Sequence, residues 1–186
     1  MGSPEILKNT IYELAVEFSL HINYNCFMDR NSKTGWIFEE RKQEEVAMVQ
    51  IIAGEKGKGK TKQLLEKVNA AVMSANGNIV YLDKSQKHMY ELSNRVRLVN
   101  VTDYPITNCD EFMGFICGIV SQDNDLEELY LDSFLTISNM KDDEITHAIE
   151  KLDIISEKYN VKFFLSISKD EKDLPECAKA KVIISL

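Results

Sequence analysis

The chain has 186 residues, 44 % of them hydrophobic and 28 % charged, with a net charge of −8 at pH 7. That suits one ordinary globular domain with a sizeable core, and the acidic balance (pI about 5.0) argues against general nucleic-acid binding, leaving only a local basic patch at Lys56, Lys58, Lys60 and Lys62. No apolar run approaches the ~18 residues of a membrane span, no secretory leader is recognisable, and Cys26, Cys109, Cys117 and Cys177 form neither a C-x-x-C pair nor a zinc spacing, so buried free thiols in a reducing cytoplasm are expected.

In chain order, Ile6 to His21 carries a helical apolar stripe, while Ile22 to Gln43 is mixed and holds the single tryptophan, Trp36. Residues 1–47 do not join the pattern that follows and read as a helical appendage on a sheet edge. An alternative is that Met48 is the natural start. Glu44-Glu45-Val46 can be encoded GAG-GAG-GUN, which contains a bacterial ribosome-binding sequence just before the Met48 codon, and the preceding peptide would then be leader.

Val49 to Ala53 is a short, mostly apolar run expected of a buried parallel strand. Thr61 to Ala75 follows a glycine-rich loop with Leu64, Leu65, Val68, Ala71, Val72 and Ala75 at helical spacing, and Gly77 is expected to stop that helix. Asn78 to Asp83 reads as a strand ending in a carboxylate, Ser85 to Ser93 as a short helix, and Arg95 to Val101 as another strand. Asp110 is expected to cap a helix carrying Phe112, Met113, Phe115, Ile116, Ile119 and Val120. Glu127 to Asp132 is again strand-like, after a solvated acidic turn. Asp142 or Asp143 begins a helix with Ile145, Ala148, Ile149, Leu152 and Ile155 on one stripe. Val161 to Ile167 and Lys181 to Leu186 are the last strands. Strands alternating with amphipathic helices imply an α/β fold in three layers around a mainly parallel sheet, with ligands beyond the carboxyl ends of strands. Asp83, Asp103, Asp132, Ser166 and Ser168 close strands and are candidates for that rim.

The chemistry concentrates in Gly54-Glu55-Lys56-Gly57-Lys58-Gly59-Lys60-Thr61, a full match to the phosphate-binding pattern G-x-x-x-x-G-K-[ST]. Gly54 and Gly59 let the backbone approach a polyphosphate, so that successive N–H groups can point at its oxygens. Lys60 would reach the β- and γ-phosphates, and the Thr61 hydroxyl would join the Mg²⁺ shell. Placed between a strand and a helix N-terminus, this loop, with Lys62 just behind it, is an anion site expected to take ATP.

Leu129-Tyr130-Leu131-Asp132 fits a second element, an apolar strand ending in an aspartate near Mg²⁺. Asp83 competes for that place, or orients the attacking water from its own strand end. His21, His88 and His147 read as ordinary surface or half-buried residues, although His88, with Lys84 and Lys87, follows Asp83 and could face the nucleotide. Ser133 directly follows Asp132, at a position where a glutamate could act as base for water. Arginines are few (Arg30, Arg41, Arg95, Arg97), with Arg95 and Arg97 flanking a strand as solvated charges. That poverty disfavours a small-molecule kinase. A GTPase is disfavoured because no glycine follows Asp132 at D-x-x-G spacing and Ser168-Lys169-Asp170-Glu171 only loosely approaches N-K-x-D.

The order of these motifs resembles the RecA-like branch of P-loop NTPases, in which another strand separates the two motif-bearing strands. From Met48 to Thr61, and again at Ile79 to Asp83 and Tyr130 to Phe134, the chain resembles short bacterial P-loop proteins labelled twitching-motility PilT-like, a likeness covering residues 48–186. It implies nucleotide binding on Lys60, Thr61 and Asp132. Gly57 to Thr61 is also similar to the G-K-G-K-T core of corrinoid adenosyltransferases, which implies ATP as an adenosyl donor. The expectation is therefore an ATP- and Mg²⁺-binding protein with weak or partner-dependent hydrolysis, completed by a homo-oligomer or another protein. Its rivals are a non-catalytic nucleotide-sensing module and, behind it, an adenosyltransferase.

Overall fold

The computed structural model describes residues 48–186, together with the strands β1 (Tyr24–Met28) and β2 (Trp36–Glu40). The chain divides into two compact units, Met1–Val46 and Ala47–Leu186. In the first, β1 and β2 pair antiparallel, with Cys26 opposite Phe38. A two-stranded sheet thus stands within the segment expected to be a helical appendage; the stripe from Ile6 to His21 lies outside the described residues.

The second unit is a six-stranded, all-parallel sheet. Its strands are β3 (Val49–Ala53), β4 (Asn78–Asp83), β5 (Val96–Asn100), β6 (Leu126–Leu131), β7 (Lys162–Ile167) and β8 (Val182–Ser185). Their spatial order is β5-β4-β6-β7-β3-β8. One strand, β7, therefore lies between the loop-bearing β3 and the aspartate-bearing β6, as the RecA-like arrangement requires.

Period-two alternation divides the sheet residues between two faces. On one face Ile52, Ile79, Tyr81, Tyr130 and Phe164 pack under helix α1 (Lys60–Ala71), which buries Leu64, Leu65 and Val68. Burying each such side chain contributes roughly 1.5–3 kcal/mol. Tyr81, Tyr130 and Phe164 lie side by side across β4, β6 and β7, with ring centroids 6.2 and 4.6 Å apart in stacked orientation. On the other face α2 (Cys109–Gln122) and α4 (Ile145–Tyr159) bury Phe112, Ile116, Ile149 and Leu152 against Ile51, Leu82, Leu129 and Leu165. Two four-residue helices, α3 (Phe134–Ile137) and α5 (Glu176–Lys179), complete this layer.

Several local expectations are corrected. Helix α1 ends at Ala71, well before Gly77. Gly77 instead marks close packing, because a Cβ there would overlap the Asp125 carbonyl oxygen. Residues 85–93 form turns and no helix. The reason is that Asn69 of α1 captures their backbone, donating to Glu91 O at 2.8 Å and accepting from Ser93 N at 2.9 Å. Asn108, and not Asp110, caps α2 by accepting from Glu111 N at 2.9 Å. Arg95 is more than a solvated charge: it donates to the Val72 and Ala75 carbonyls at 2.7 and 3.2 Å, satisfying the end of α1. Cys117 is exposed, against the expectation of burial.

Candidate functional site

The loop leaves β3 at Gly54, whose N–H donates to Lys169 O at 2.7 Å. Gly54 has φ 149°, and a Cβ there would lie 2.7 Å from the Leu186 carbonyl oxygen. Its glycine character is thus demanded by Leu186 beside it. Gly59, with φ 92°, turns the backbone into α1. That helix starts with no side-chain cap and no acidic residue in its first turn, whereas α2 has Asn108, Asp110 and Glu111. The first N–H groups of α1 thus have neither an intrahelical acceptor nor a side-chain cap, in a positive dipole field.

Lys60 is buried and donates to Gly54 O at 2.8 Å and Glu55 O at 2.7 Å. Burial lowers its pKa, and the Asp132 carboxylate opposes that shift. Thr61, next along α1, donates its hydroxyl to both Asp132 oxygens at 3.1 and 2.9 Å. Asp132 also accepts from Ser166 Oγ at 2.6 Å and from Ser133 N at 2.9 Å. It is held there because Asp132 N donates to Leu82 O at 2.9 Å, extending the β6–β4 ladder one residue past the strand end. The same register sets Asp83 beside it on β4.

Asp83 is 1 % exposed and accepts from Lys84 N at 2.7 Å. Burial raises its pKa, Asp132 raises it further, and the Lys84 N–H, His88 and Lys87 act against this. The Tyr81 hydroxyl, fully buried two residues earlier, has no hydrogen-bond partner. Its pKa is raised by burial and then by the Asp132 and Asp83 carboxylates toward which it faces. An unsatisfied buried hydroxyl costs about 1–3 kcal/mol.

A cleft of about 530 Å³ opens over these groups, lined by Lys56, Gly57, Gly59, Lys60 and Thr61 from the loop side. Lys84, Ser133, Thr136, Ser166 and Ser168 line its opposite wall. Gly54 and Glu55 serve it indirectly, through the carbonyls that hold Lys60. Lys58 and Lys62 are exposed and outside the lining, and Lys62 pairs with Glu66 at 3.8 Å. Of the rim candidates, Ser166 and Ser168 line the cleft, whereas Asp83 and Asp132 are buried at the ends of β4 and β6 and do not line it. Asp103 does not join them and accepts from Asn100 Nδ2 at 2.7 Å. Thr136 was not foreseen, because α3 is too short to leave a periodic signal. Lys84 was noted only as a neighbour of His88, although its place directly after Asp83 marks a strand end.

No family model matches the chain, and no curated protein matches it. Among solved structures it is similar to the flagellar accessory protein FlaH from Methanocaldococcus jannaschii, with 13 % identity and a TM-score of 0.45. That likeness covers 71 % of this chain and 65 % of FlaH, less than two thirds of the neighbour's length. The fold is α/β with an all-parallel sheet, with the glycine loop at the carboxyl end of β3 and β7 between β3 and β6.

Proposed function

We propose that the cleft binds ATP with Mg²⁺ and that the protein is an ATPase whose turnover depends on a second subunit. The observation that carries this reading is the contact between Thr61 and Asp132, 71 residues apart in sequence. It joins the hydroxyl of the phosphate loop to a buried carboxylate beside an uncapped helix start. The residues fit the expected groups. The loop glycines and the first N–H groups of α1 offer donors to phosphate oxygens, Lys60 supplies a buried positive charge, and Thr61 with Asp132 offers two oxygen ligands of the kind Mg²⁺ takes. Mg²⁺ held there would neutralise charge on the phosphate oxygens. Lys60 would exchange its two loop carbonyls for those oxygens. Asp83, buried beside Asp132 at the end of β4, is the carboxylate suited to orienting a water.

Calorimetric titration of Mg-ATP and Mg-GTP, with phosphate release followed on the same samples, tests this. Wild type should bind ATP in preference to GTP, and Lys60→Ala should weaken binding roughly 10- to 100-fold, the worth of one or two charge-assisted hydrogen bonds. A folded wild type that binds neither nucleotide overturns the reading. Specific activity that rises with protein concentration supports the completing subunit. A second reading, a sensor that binds without turnover, is favoured by Ser133: this position takes left-handed backbone (φ 55°) and carries no carboxylate. Tight binding with no phosphate release at any protein concentration would select it.

A further inference from the structure

One imidazole nitrogen of His88 and one carboxylate oxygen each from Asp83 and Asp132 lie within 4.8 Å of one another. Asp83 and Asp132 are 1 % and 2 % exposed, and His88 is half-buried. The nearby buried cation, Lys60, gives two of its three donors to loop carbonyls. Two adjacent carboxylates out of water call for a positive charge between them. A second observation points the same way. The Tyr81 hydroxyl, fully buried beside Asp132 and Asp83, makes no well-formed hydrogen bond to either, so it does little to offset the charge of the pair. A third concerns the imidazole itself. His88 Nδ1 is 2.7 Å from Glu91 Oε1, a carboxylate–histidine pairing of the kind that orients a metal-binding ring.

We propose that Asp83, His88 and Asp132 bind a divalent transition-metal ion, distinct from the magnesium position at Thr61 and sharing Asp132 with it. Imidazole with two carboxylates suits zinc, manganese or cobalt, whereas magnesium prefers oxygen ligands alone. The site is built from the end of β4, the turns after it and the end of β6, so it stands whether or not the loop takes a nucleotide.

The test uses the full chain, stripped with a chelator and free of nucleotide. Cobalt(II) is titrated with visible absorption as the readout, and zinc by calorimetry. Wild type should bind one equivalent of each, and millimolar magnesium should not displace cobalt. His88→Gln and Asp83→Asn should each weaken binding at least tenfold. His147→Gln, on the exposed face of α4, should leave it unchanged. Melting curves establish that each variant is folded. Should a variant fail to fold, X-ray absorption of zinc-loaded wild type decides: an imidazole nitrogen in the shell supports the site, and an all-oxygen shell overturns it. Wild type without cobalt bands at millimolar metal, or equal binding by folded His88→Gln, also overturns it. Because no nucleotide is present, failure here leaves the ATP reading standing, and loss of ATP binding leaves the metal site standing.

Discussion

Asp83 and Asp132 sit at the ends of neighbouring strands, yet their surroundings treat them differently. Asp132 accepts from Thr61, Ser166 and Ser133 N, a set of donors that satisfies an ionised carboxylate. Asp83 has the Lys84 N–H at 2.7 Å and the Ser85 hydroxyl at 3.4 Å, and its pKa is raised chiefly by burial. A raised carboxylate pKa contributes stability that is fully present below the ordinary carboxylate range and lost as pH rises through the raised value. Asp83→Asn, measured with chelator present, should therefore melt above wild type at pH 7.5. That advantage should shrink as the pH is lowered toward 4. A melting temperature below wild type at pH 7.5 would mean that the charge is compensated locally. Substitution that stabilises while impairing a site is the behaviour of a functional residue.

Among the elements, the two long helices that follow strand ends start in opposite ways. Helix α2 is closed by Asn108, so Asn108→Ala should cost about 1 kcal/mol. Helix α1 opens on Gly59 with no side-chain cap, which leaves its first N–H groups without a side-chain acceptor. Its other end depends on Arg95, reaching across from the start of β5. At Gly77 the backbone runs against Asp125 so closely that Gly77→Ala should cost about 1–3 kcal/mol, with a melting temperature lower by about 2–4 °C per kcal/mol. Thermal unfolding followed by circular dichroism checks both values, and a neutral Gly77→Ala would show that β6 can shift to admit a methyl group. The apolar stripe of α4 was legible because five positions repeat at helical spacing and all five are buried. The turns after β4 were not, because residues 85–93 have helical propensity locally but are held by Asn69, which bonds Glu91 O and Ser93 N, and by the Ser85–Asp83 contact.

At the scale of the molecule, the two core clusters seen among the described residues belong to the second unit, from Val49 onward. A fragment of residues 48–186 should consequently unfold in one cooperative transition and retain the ATP and cobalt affinities of the full chain within about threefold, since all the proposed site residues lie within it. Loss of either affinity in a folded fragment would show that the first unit takes part in the site. Among the described residues no helix is long and apolar enough to cross a membrane. The same arrangement of strands explains the cleft: β3, β7, β6 and β4 end together, so the loop and three serines from separated segments meet at one rim, with Asp83 and Asp132 buried at the ends of β4 and β6.

The sequence by itself determined the glycine loop, the strand before it, the helix after it and the alternation that makes a parallel α/β sheet. These are local matters: residue spacing sets which face is apolar, and glycine, lysine and threonine at fixed offsets meet one ligand chemistry. Asp132 was legible only as the end of a short apolar run, which many chains contain. Only the tertiary structure decided that Thr61 touches Asp132, that Tyr81 faces two carboxylates with its hydroxyl unpaired, and that His88 joins Asp83 and Asp132. Each of these depends on β4 lying beside β6 and on the turns after β4 folding back, and side-chain contacts between distant segments follow from strand order and register, which local spacing does not encode.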